Sequence, residues 1–196
     1  MHVPKSWRVC LVPPVPILFD KAEDGSPASL LYNLHLGACT EFSHEQILQL
    51  ASQMGLSKRL VERPLDPVGA DGQCLSLSDR VIVATCRAII AGVDVLLFSK
   101  GIDLLAPKSA ERVLKQLRIF VDERGFVANT PSGAVVPKKL RLPKLVVLIS
   151  NSARVHAAAD THIQLDGRGG HRIAPRAVDQ RHDLLPPVII PHVVSK

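Results

Sequence analysis

The chain has 196 residues, 46% of them hydrophobic and 21% charged, a balance that predicts a folded domain with a sizeable core and excludes disordered, collagen-like and coiled-coil proteins. Twenty-four Lys and Arg against 18 Asp and Glu leave a formal net charge of +6, but the basic residues are scattered and not interleaved with aromatic ones, so no nucleic-acid partner is expected. Arg87 and Asp94 interrupt the longest apolar stretch, 81–98, so the sequence predicts no transmembrane helix.

Cysteines and histidines give no sign of a metal site. The eight histidines match no ligand spacing, and the four cysteines show neither ligand spacing nor a disulfide framework. We therefore expect no metal-binding residues, and we expect small, buried side chains at Cys10, Cys39, Cys74 and Cys86.

The first half of the chain predicts one strand followed by helical structure. Residues 7–12 are typical of a buried strand that ends at two prolines, whereas 29–36 is ambiguous. Ser43 and Gln46 have the spacing of a capping box and predict a helix that ends at Gly55.

The second half alternates helices with apolar strands. Residues 78–91 have a helical pattern, and 93–98 is a near-continuous apolar run of the kind found in parallel sheets. Further along, the pattern predicts a helix opened by Pro107 and ended by Gly125, a strand over 144–150, a short helix over 153–159 and a strand over 161–166. This alternation predicts an α/β fold with a parallel sheet.

Several segments, in order, resemble one known family. Residues 68–80, VGADGQCLSLSDR, are similar to the V-G-x-x-G loop and L-S-G-G-Q-R signature of ABC exporters, and Ala84, Arg87 and Ala88 resemble the A-x-x-R-A helix that follows them. Residues 12–19 resemble the glutamine loop of that family. Further matches are Asn33-Leu34 with Gly37, the Walker-B-like strand 93–98 and the end strand 160–167.

The chain is therefore similar to the ATP-binding cassette (ABC) ATPase domain of exporters, from just before its glutamine loop to its end. The resemblance implies a partial ABC-ATPase (RecA-like) core over 1–183, with a helical subdomain at about 40–90. No G-x-x-x-x-G-K-[ST] motif occurs in the sequence, so the chain resembles a family domain truncated at its N-terminus. Residues 184–196, which carry three prolines among Val and Ile, are predicted to form an extended C-terminal arm.

At the family's chemical positions, the resemblance places residues of the wrong type. Pro14 stands for the loop glutamine, Ser99 and Lys100 for the Walker B Asp and Glu, and Asn151 for the switch histidine. A charged lysine neither accepts the proton of a water nor holds Mg²⁺, and neither Pro14 nor Asn151 is a base. The other replaced positions are Leu77 and Ser78 for the signature glycines, Asp79 for the signature glutamine and Ala106 for the terminal Asp of the next loop. We therefore expect a pseudo-ATPase with no catalytic residue and no cofactor.

This pattern predicts an inactive ABC-like chain that serves as a structural or accessory subunit of a hetero-oligomeric protein complex. The alternative is a regulatory, degenerate half of an ABC exporter that another polypeptide completes. The basic charge favours a peripheral place on a membrane-bound organellar complex, such as one of the mitochondrial inner membrane. The basic segment 138–141, with Arg168, Arg172, Arg176 and Arg181, is typical of a solvated face. The alternatives are contact with anionic lipid head groups or with acidic neighbours. The candidate partner contacts are Phe19, Leu31 and His35, on the surface where the family meets coupling helices, and Val188, Ile189 and Ile190 in the arm.

Overall fold

A computed structural model describes residues 7–38, 42–126, 137–165, 171–175 and 189–193. Its strands are β1 (Val9–Val12), β2 (Val95–Ser99), β3 (Leu145–Ile149), β4 (Thr161–Leu165), β5 (His171–Pro175) and β6 (Ile189–Val193). Its α-helices are α1 (Leu30–His35), α2 (His44–Met54), α3 (Lys58–Glu62), α4 (Leu77–Ile90), α5 (Pro107–Asp122) and α6 (Ala153–Ala158). Short 3₁₀ helices cover Ala70–Gly72, Gly101–Leu104 and Lys138–Leu140.

The strands form one sheet in the order β1-β2-β3-β6-β4-β5. All neighbouring strands run parallel except β4 and β5, which are antiparallel. This arrangement confirms the predicted α/β class with a parallel sheet.

Local sequence signals set the helix ends. The Ser43 hydroxyl accepts a hydrogen bond from the Gln46 N–H at 3.2 Å, and the Gln46 side chain accepts one from the Ser43 N–H at 2.9 Å, as the capping box predicted. Gly55 ends α2 in the left-handed conformation, with φ at 95°. Pro107 begins α5, where its missing N–H has no helical partner to lose. The ambiguous segment around 29–36 contains α1.

The core lies on one face of the sheet. Because β1, β2 and β3 pair in register, their residues form rows across the sheet, and α4 and α5 pack against the buried rows. The side chains of the buried rows are Cys10, Val12, Leu96, Phe98, Val146 and Leu148. All of them are buried except Cys10, which is partly buried. On the opposite face Val95 is buried, but Leu97, Val147 and Ile149 are only half-buried and Val9 and Leu11 are exposed, so that face is less covered.

A buried ion pair joins the amino ends of the first three strands. The Asp94 carboxylate accepts hydrogen bonds from the Arg8 N–H at 2.9 Å and from Lys144 Nζ at 2.8 Å. The side chains of Lys144 and Asp94 are 8% and 6% exposed. Burial by itself would raise the pKa of Asp94, but the bonds from Arg8 and Lys144 outweigh it and hold that pKa below its ordinary value.

The C-terminal segment differs from its prediction. Of the predicted arm 184–196, the structure places β6 inside the sheet, aligned with β4 at five positions and with β3 at one. The cause lies in the tertiary structure. The strands β3 and β4 both have backbone N–H and C=O groups that need hydrogen-bond partners, and a strand between them supplies these partners, although Pro191 has no N–H to donate. Val188 lies outside the described residues, as do 184–187 and 194–196.

The cysteine prediction is correct only in part. Cys86 is buried and Cys10 is half-buried, whereas Cys74 is exposed and Cys39 lies outside the described residues. Burial raises the pKa of the Cys86 and Cys10 thiols above their ordinary value. Within the described ranges, every helix is too short or too polar to span a bilayer.

Candidate functional site

Three of the predicted chemical positions meet at one edge of the sheet. Because β1, β2 and β3 are adjacent and parallel, the segments that follow them lie side by side: Pro14 after β1, Lys100 after Ser99 of β2, and Asn151 after β3. The Lys100 N–H donates to the carbonyl of Ile149 at 3.0 Å, which ties two of these segments together. Ligand sites of α/β proteins lie at this carboxyl edge of the strands.

Asp103 holds the segment that carries Asn151. Its carboxylate accepts hydrogen bonds from the Ser150 hydroxyl and, at 3.2 Å, from the Asn151 N–H. The sequence contains no local signal for this contact, because the partners are 47 and 48 residues apart along the chain. The Asp103 carboxylate, which the fold brings to this edge, therefore forms hydrogen bonds that hold the loop after β3.

Lys100 is exposed and adopts a left-handed backbone conformation, with φ at 61° and ψ at 1°. Such a conformation is uncommon for a residue other than glycine and occurs where the surrounding structure imposes it. Here the Ile149 contact and the following 3₁₀ helix hold the turn. The ammonium group of Lys100 thus projects from the edge where the ABC resemblance places a carboxylate.

The signature-like residues lie in the first turn of α4, not at the strand ends. Ser76 caps the helix: its hydroxyl accepts from the Asp79 N–H at 3.1 Å and donates to the Asp79 carboxylate at 2.6 Å. The other carboxylate oxygen of Asp79 accepts from the Ser57 N–H at 3.3 Å. Leu77 and Ser78 are half-buried beside it, so this turn is occupied by local capping. Ala106 is exposed directly before α5.

Of the predicted partner contacts at the front of the chain, Phe19 is exposed, His35 is half-buried and Leu31 is buried. Leu31 is only 7% exposed and belongs to the core, so it is not available to a partner. The His35 ring lies 5.0 Å from the His44 ring, and burial together with His44 lowers the pKa of His35. Ile189 and Ile190 are the first two residues of β6.

Asn33 fixes the backbone that presents Phe19. Its side-chain oxygen accepts from the Phe19 N–H at 2.8 Å, and its amide nitrogen donates to the Phe19 carbonyl at 2.9 Å and the Ser29 carbonyl at 3.1 Å. Asn33 is fully buried, so these bonds form out of contact with water. The exposed aromatic ring is consequently held in place and not on a loose loop.

A groove of about 600 Å³ lies between β1, the loop after it and α4. Arg87 lines this groove, with its guanidinium 5.8 Å from the centre of the Phe19 ring. Burial lowers the pKa of Arg87, and its buried Nη1 has no hydrogen-bond acceptor in the described part of the chain. Three exposed apolar side chains line the groove, Leu11, Val15 and Ile17, and the same segment 7–19 also exposes Trp7, Val9 and Phe19. Of these residues only Phe19 was a predicted partner contact, since alternation in a short edge strand does not reveal which face remains open.

Among the described residues, no group of three or more His, Cys, Asp or Glu side chains is arranged to hold a metal ion. His156 lies near the carboxyl edge, with Nε2 3.1 Å from the Ser150 carbonyl oxygen and its ring 5.2 Å from that of His162. These histidine contacts are with backbone and ring, as expected for structural side chains.

The sequence matches no family model and no curated protein. Among solved structures, the chain is similar to a bacterial Atm1-family ABC exporter with ATP bound, at 18% identity and a TM-score of 0.53. The similarity covers 79% of this chain and 23% of the exporter chain, so this chain spans about a quarter of that protein. At this identity the likeness concerns the fold alone: the chain has the α/β architecture of an ABC-type, RecA-like core.

Proposed function

We propose that this chain is a catalytically inactive ABC-ATPase-like protein that serves as a structural subunit of a larger protein complex. The observation that carries the proposal is the set of side chains at the carboxyl edge of β1, β2 and β3. ATP hydrolysis in such a fold needs groups that hold Mg²⁺ and orient or deprotonate a water. Pro14, Lys100 and Asn151 supply none of these groups.

The residues at this edge do not fit a magnesium nucleotide. The Lys100 ammonium repels a divalent cation and cannot accept a proton while charged, and Pro14 has no side-chain oxygen. The Asp103 carboxylate is bonded to Ser150 and Asn151. In addition, the Asp79 carboxylate lies in the α4 turn that the family uses to approach a phosphate, where a negative charge is unfavourable.

The groove beside β1 supports a role in binding protein. Large apolar side chains that stay exposed together on a folded domain are typical of interaction surfaces, and β1 is an edge strand of the described sheet. Arg87 adds a buried donor that an acceptor on a partner, such as a carboxylate, would satisfy. The partner that fits this surface is another protein subunit with an apolar contact segment and an acceptor for Arg87.

A second candidate is the regulatory, degenerate half of an ABC exporter that another polypeptide completes. The likeness to an exporter structure and the exposed Phe19 ring, on the face that the resemblance assigns to coupling helices, favour it. The two candidates differ in the partner: membrane helices of a transporter in one, unrelated subunits in the other. A complex of the mitochondrial inner membrane is proposed as the host, and the native purification described below tests this proposal.

The purified chain is expected to release no phosphate from ATP in the presence of Mg²⁺. The double variant Ser99→Asp with Lys100→Glu is expected to gain no turnover, because Pro14 and Asn151 remain and the sequence has no phosphate-loop motif. Phosphate release and binding of a fluorescent ATP analogue measure both points, with an intact ABC ATPase domain as the positive control. ATP turnover by the purified wild-type chain would contradict the proposal.

Replacing Ile17 and Phe19 together by Ser is expected to release the partner subunits. Native purification of the tagged wild-type chain in mild detergent, followed by mass spectrometry, is expected to recover a stoichiometric assembly without a transporter. The variant removes Ile17 from the groove lining and the Phe19 ring that contacts Arg87, and it is expected to recover the chain alone. Leu65→Ser with Leu104→Ser is the matched control, since both leucines are exposed outside the groove lining.

Recovery of a polytopic exporter with an intact ATPase domain would instead favour the second candidate. If the wild-type chain is recovered alone, both candidates are wrong about the partner. An assembly that tolerates the Ile17 and Phe19 changes would place the interface elsewhere on the chain.

A further inference from the structure

The segment 137–143, here called the basic-leucine loop, exposes two leucines beside basic residues. Leu140 is 74% exposed and Leu142 is 63% exposed. Lys138 and Lys139 are exposed as well, and the loop contains no acidic residue. Two large apolar side chains exposed on one short loop make a candidate interaction surface.

The two leucines lie on either side of Arg141, where the loop leaves a short 3₁₀ helix. Lys138–Leu140 forms the 3₁₀ helix, and Arg141 after it is extended, with φ at −82° and ψ at 143°. Leu140 and Leu142 are both exposed, whereas Arg141 between them is partly buried. The two leucines are here called the leucine pair.

Arg141 anchors the loop to the rest of the domain. Its Nη1 donates to the carbonyl of Glu123, just after α5, at 3.0 Å, and Arg124 Nη1 donates to the carbonyl of Arg141 at 3.3 Å. With the arginine turned towards α5, the leucine pair faces solvent. The leucine pair is therefore carried by a loop that hydrogen bonds hold against the end of α5.

The charges around the leucine pair are predominantly positive. Lys138 Nζ lies 3.4 Å from the Glu123 carboxylate, but both side chains are nearly half-exposed, so the pair is weak and easily exchanged. Lys139 adds a second exposed ammonium group. Long lysine side chains reach outward while apolar neighbours remain close to the surface.

We propose that the basic-leucine loop inserts into the surface of an anionic lipid bilayer. Leu140 and Leu142 would enter the boundary of the acyl chains, while Lys138 and Lys139 contact phosphate and carboxylate head groups. The absence of aromatic residues from 137–143 disfavours single-stranded nucleic acid, which binds by base stacking. This lipid contact lies apart from the β1 groove and does not depend on the proposed function.

Vesicle flotation of the full chain tests the proposal. We expect the wild-type chain to float with vesicles of phosphatidylcholine mixed with phosphatidylserine and much more weakly with phosphatidylcholine alone. Leu140→Ser with Leu142→Ser is expected to lower the partition coefficient by about 100-fold, roughly tenfold for each leucine removed from the bilayer. Lys138→Ala with Lys139→Ala is expected to lower it by about thirtyfold and to remove most of its dependence on phosphatidylserine.

The matched control is Leu65→Ser, a leucine of equal exposure, 74%, outside the loop, which is expected to leave flotation unchanged. Thermal unfolding of each variant checks the fold, and surface substitutions of this kind are expected to leave the melting temperature nearly unchanged. Equal flotation of wild type and the Leu140/Leu142 variant, or no flotation with either vesicle, would overturn the proposal. Binding of an acidic protein or of RNA through the loop, without flotation, would also overturn it and assign the loop to that partner.

Discussion

Asp94→Ala is expected to lower the free energy of unfolding by about 3–5 kcal/mol, because it leaves the buried Lys144 ammonium without its counter-ion. The Arg8 N–H loses its acceptor at the same time. Both consequences fall on the amino ends of β1, β2 and β3, where the sheet register begins. Urea denaturation of wild type and variant at neutral pH measures the loss.

The double variant Asp94→Leu with Lys144→Met is the control for this ion pair. It removes both buried charges and fills their space with apolar groups, so we expect it to recover most of the loss. The remaining deficit, about 1–2 kcal/mol, corresponds to the hydrogen bonds from the Arg8 N–H to Asp94 and from Lys144 to the Gly92 carbonyl, which the double variant lacks. A double variant as unstable as Asp94→Ala would show that packing and not the uncompensated charge causes the effect.

The ion pair of Asp94 and Lys144 also makes the stability of the wild-type chain depend on pH. Because the pKa of Asp94 is lower in the folded than in the unfolded state, its contribution to stability is full above the unfolded pKa and is lost as pH falls through the folded pKa. The stability difference between wild type and Asp94→Ala should therefore narrow in strong acid. A difference independent of pH would contradict the assigned ionisation of Asp94.

Asn33→Ala is expected to lower the free energy of unfolding by about 2–4 kcal/mol and to loosen the Phe19 backbone. The substitution leaves the Phe19 N–H and carbonyl without their side-chain partners and opens a small cavity in the core. Denaturant unfolding gives the stability, and hydrogen exchange at the Phe19 amide gives the local effect, which is faster exchange in the variant.

Asn33→Leu separates the two causes, since its branched side chain has the same number of heavy atoms as asparagine and leaves no cavity, but it makes no hydrogen bond. We expect it to remain clearly less stable than wild type and to show the same fast exchange at Phe19. Wild-type stability in Asn33→Leu would mean that the Asn33 bonds do not hold the groove surface. In that case the orientation of the Phe19 ring would come from the Arg87 contact alone.

Local signals predicted many element ends correctly. Ser43 and Gln46 cap α2, Gly55 ends it, and Pro107 starts α5, because caps and breakers act on backbone groups within one turn. The apolar run 93–98 predicted a strand of a parallel sheet for a similar reason: a strand covered along its length has few polar positions.

The candidate site was predictable in part. The motif resemblance placed Pro14, Ser99, Lys100 and Asn151 after strands, and the parallel sheet then brings them to one edge. The contacts of Asp103 were not predictable, because Ser150 and Asn151 lie 47 and 48 residues away along the chain. The spacing of Ser76 and Asp79, in contrast, is that of a local helix cap, which is a signal in the sequence. The place of Arg87 in the groove was also not predictable, since it depends on how β1 and the following loop pack against α4.

By itself, the sequence determined the α/β alternation, the helix caps and the types of side chain at the strand ends. Each of these depends on interactions within a few residues. Only the tertiary structure decided that β6 lies between β3 and β4, that Leu31 is buried, and that Asp94 pairs with Lys144 50 residues away. Those outcomes depend on which strands become neighbours, and satisfying the backbone groups and charges of the folded sheet outweighs a local signal such as the proline in β6.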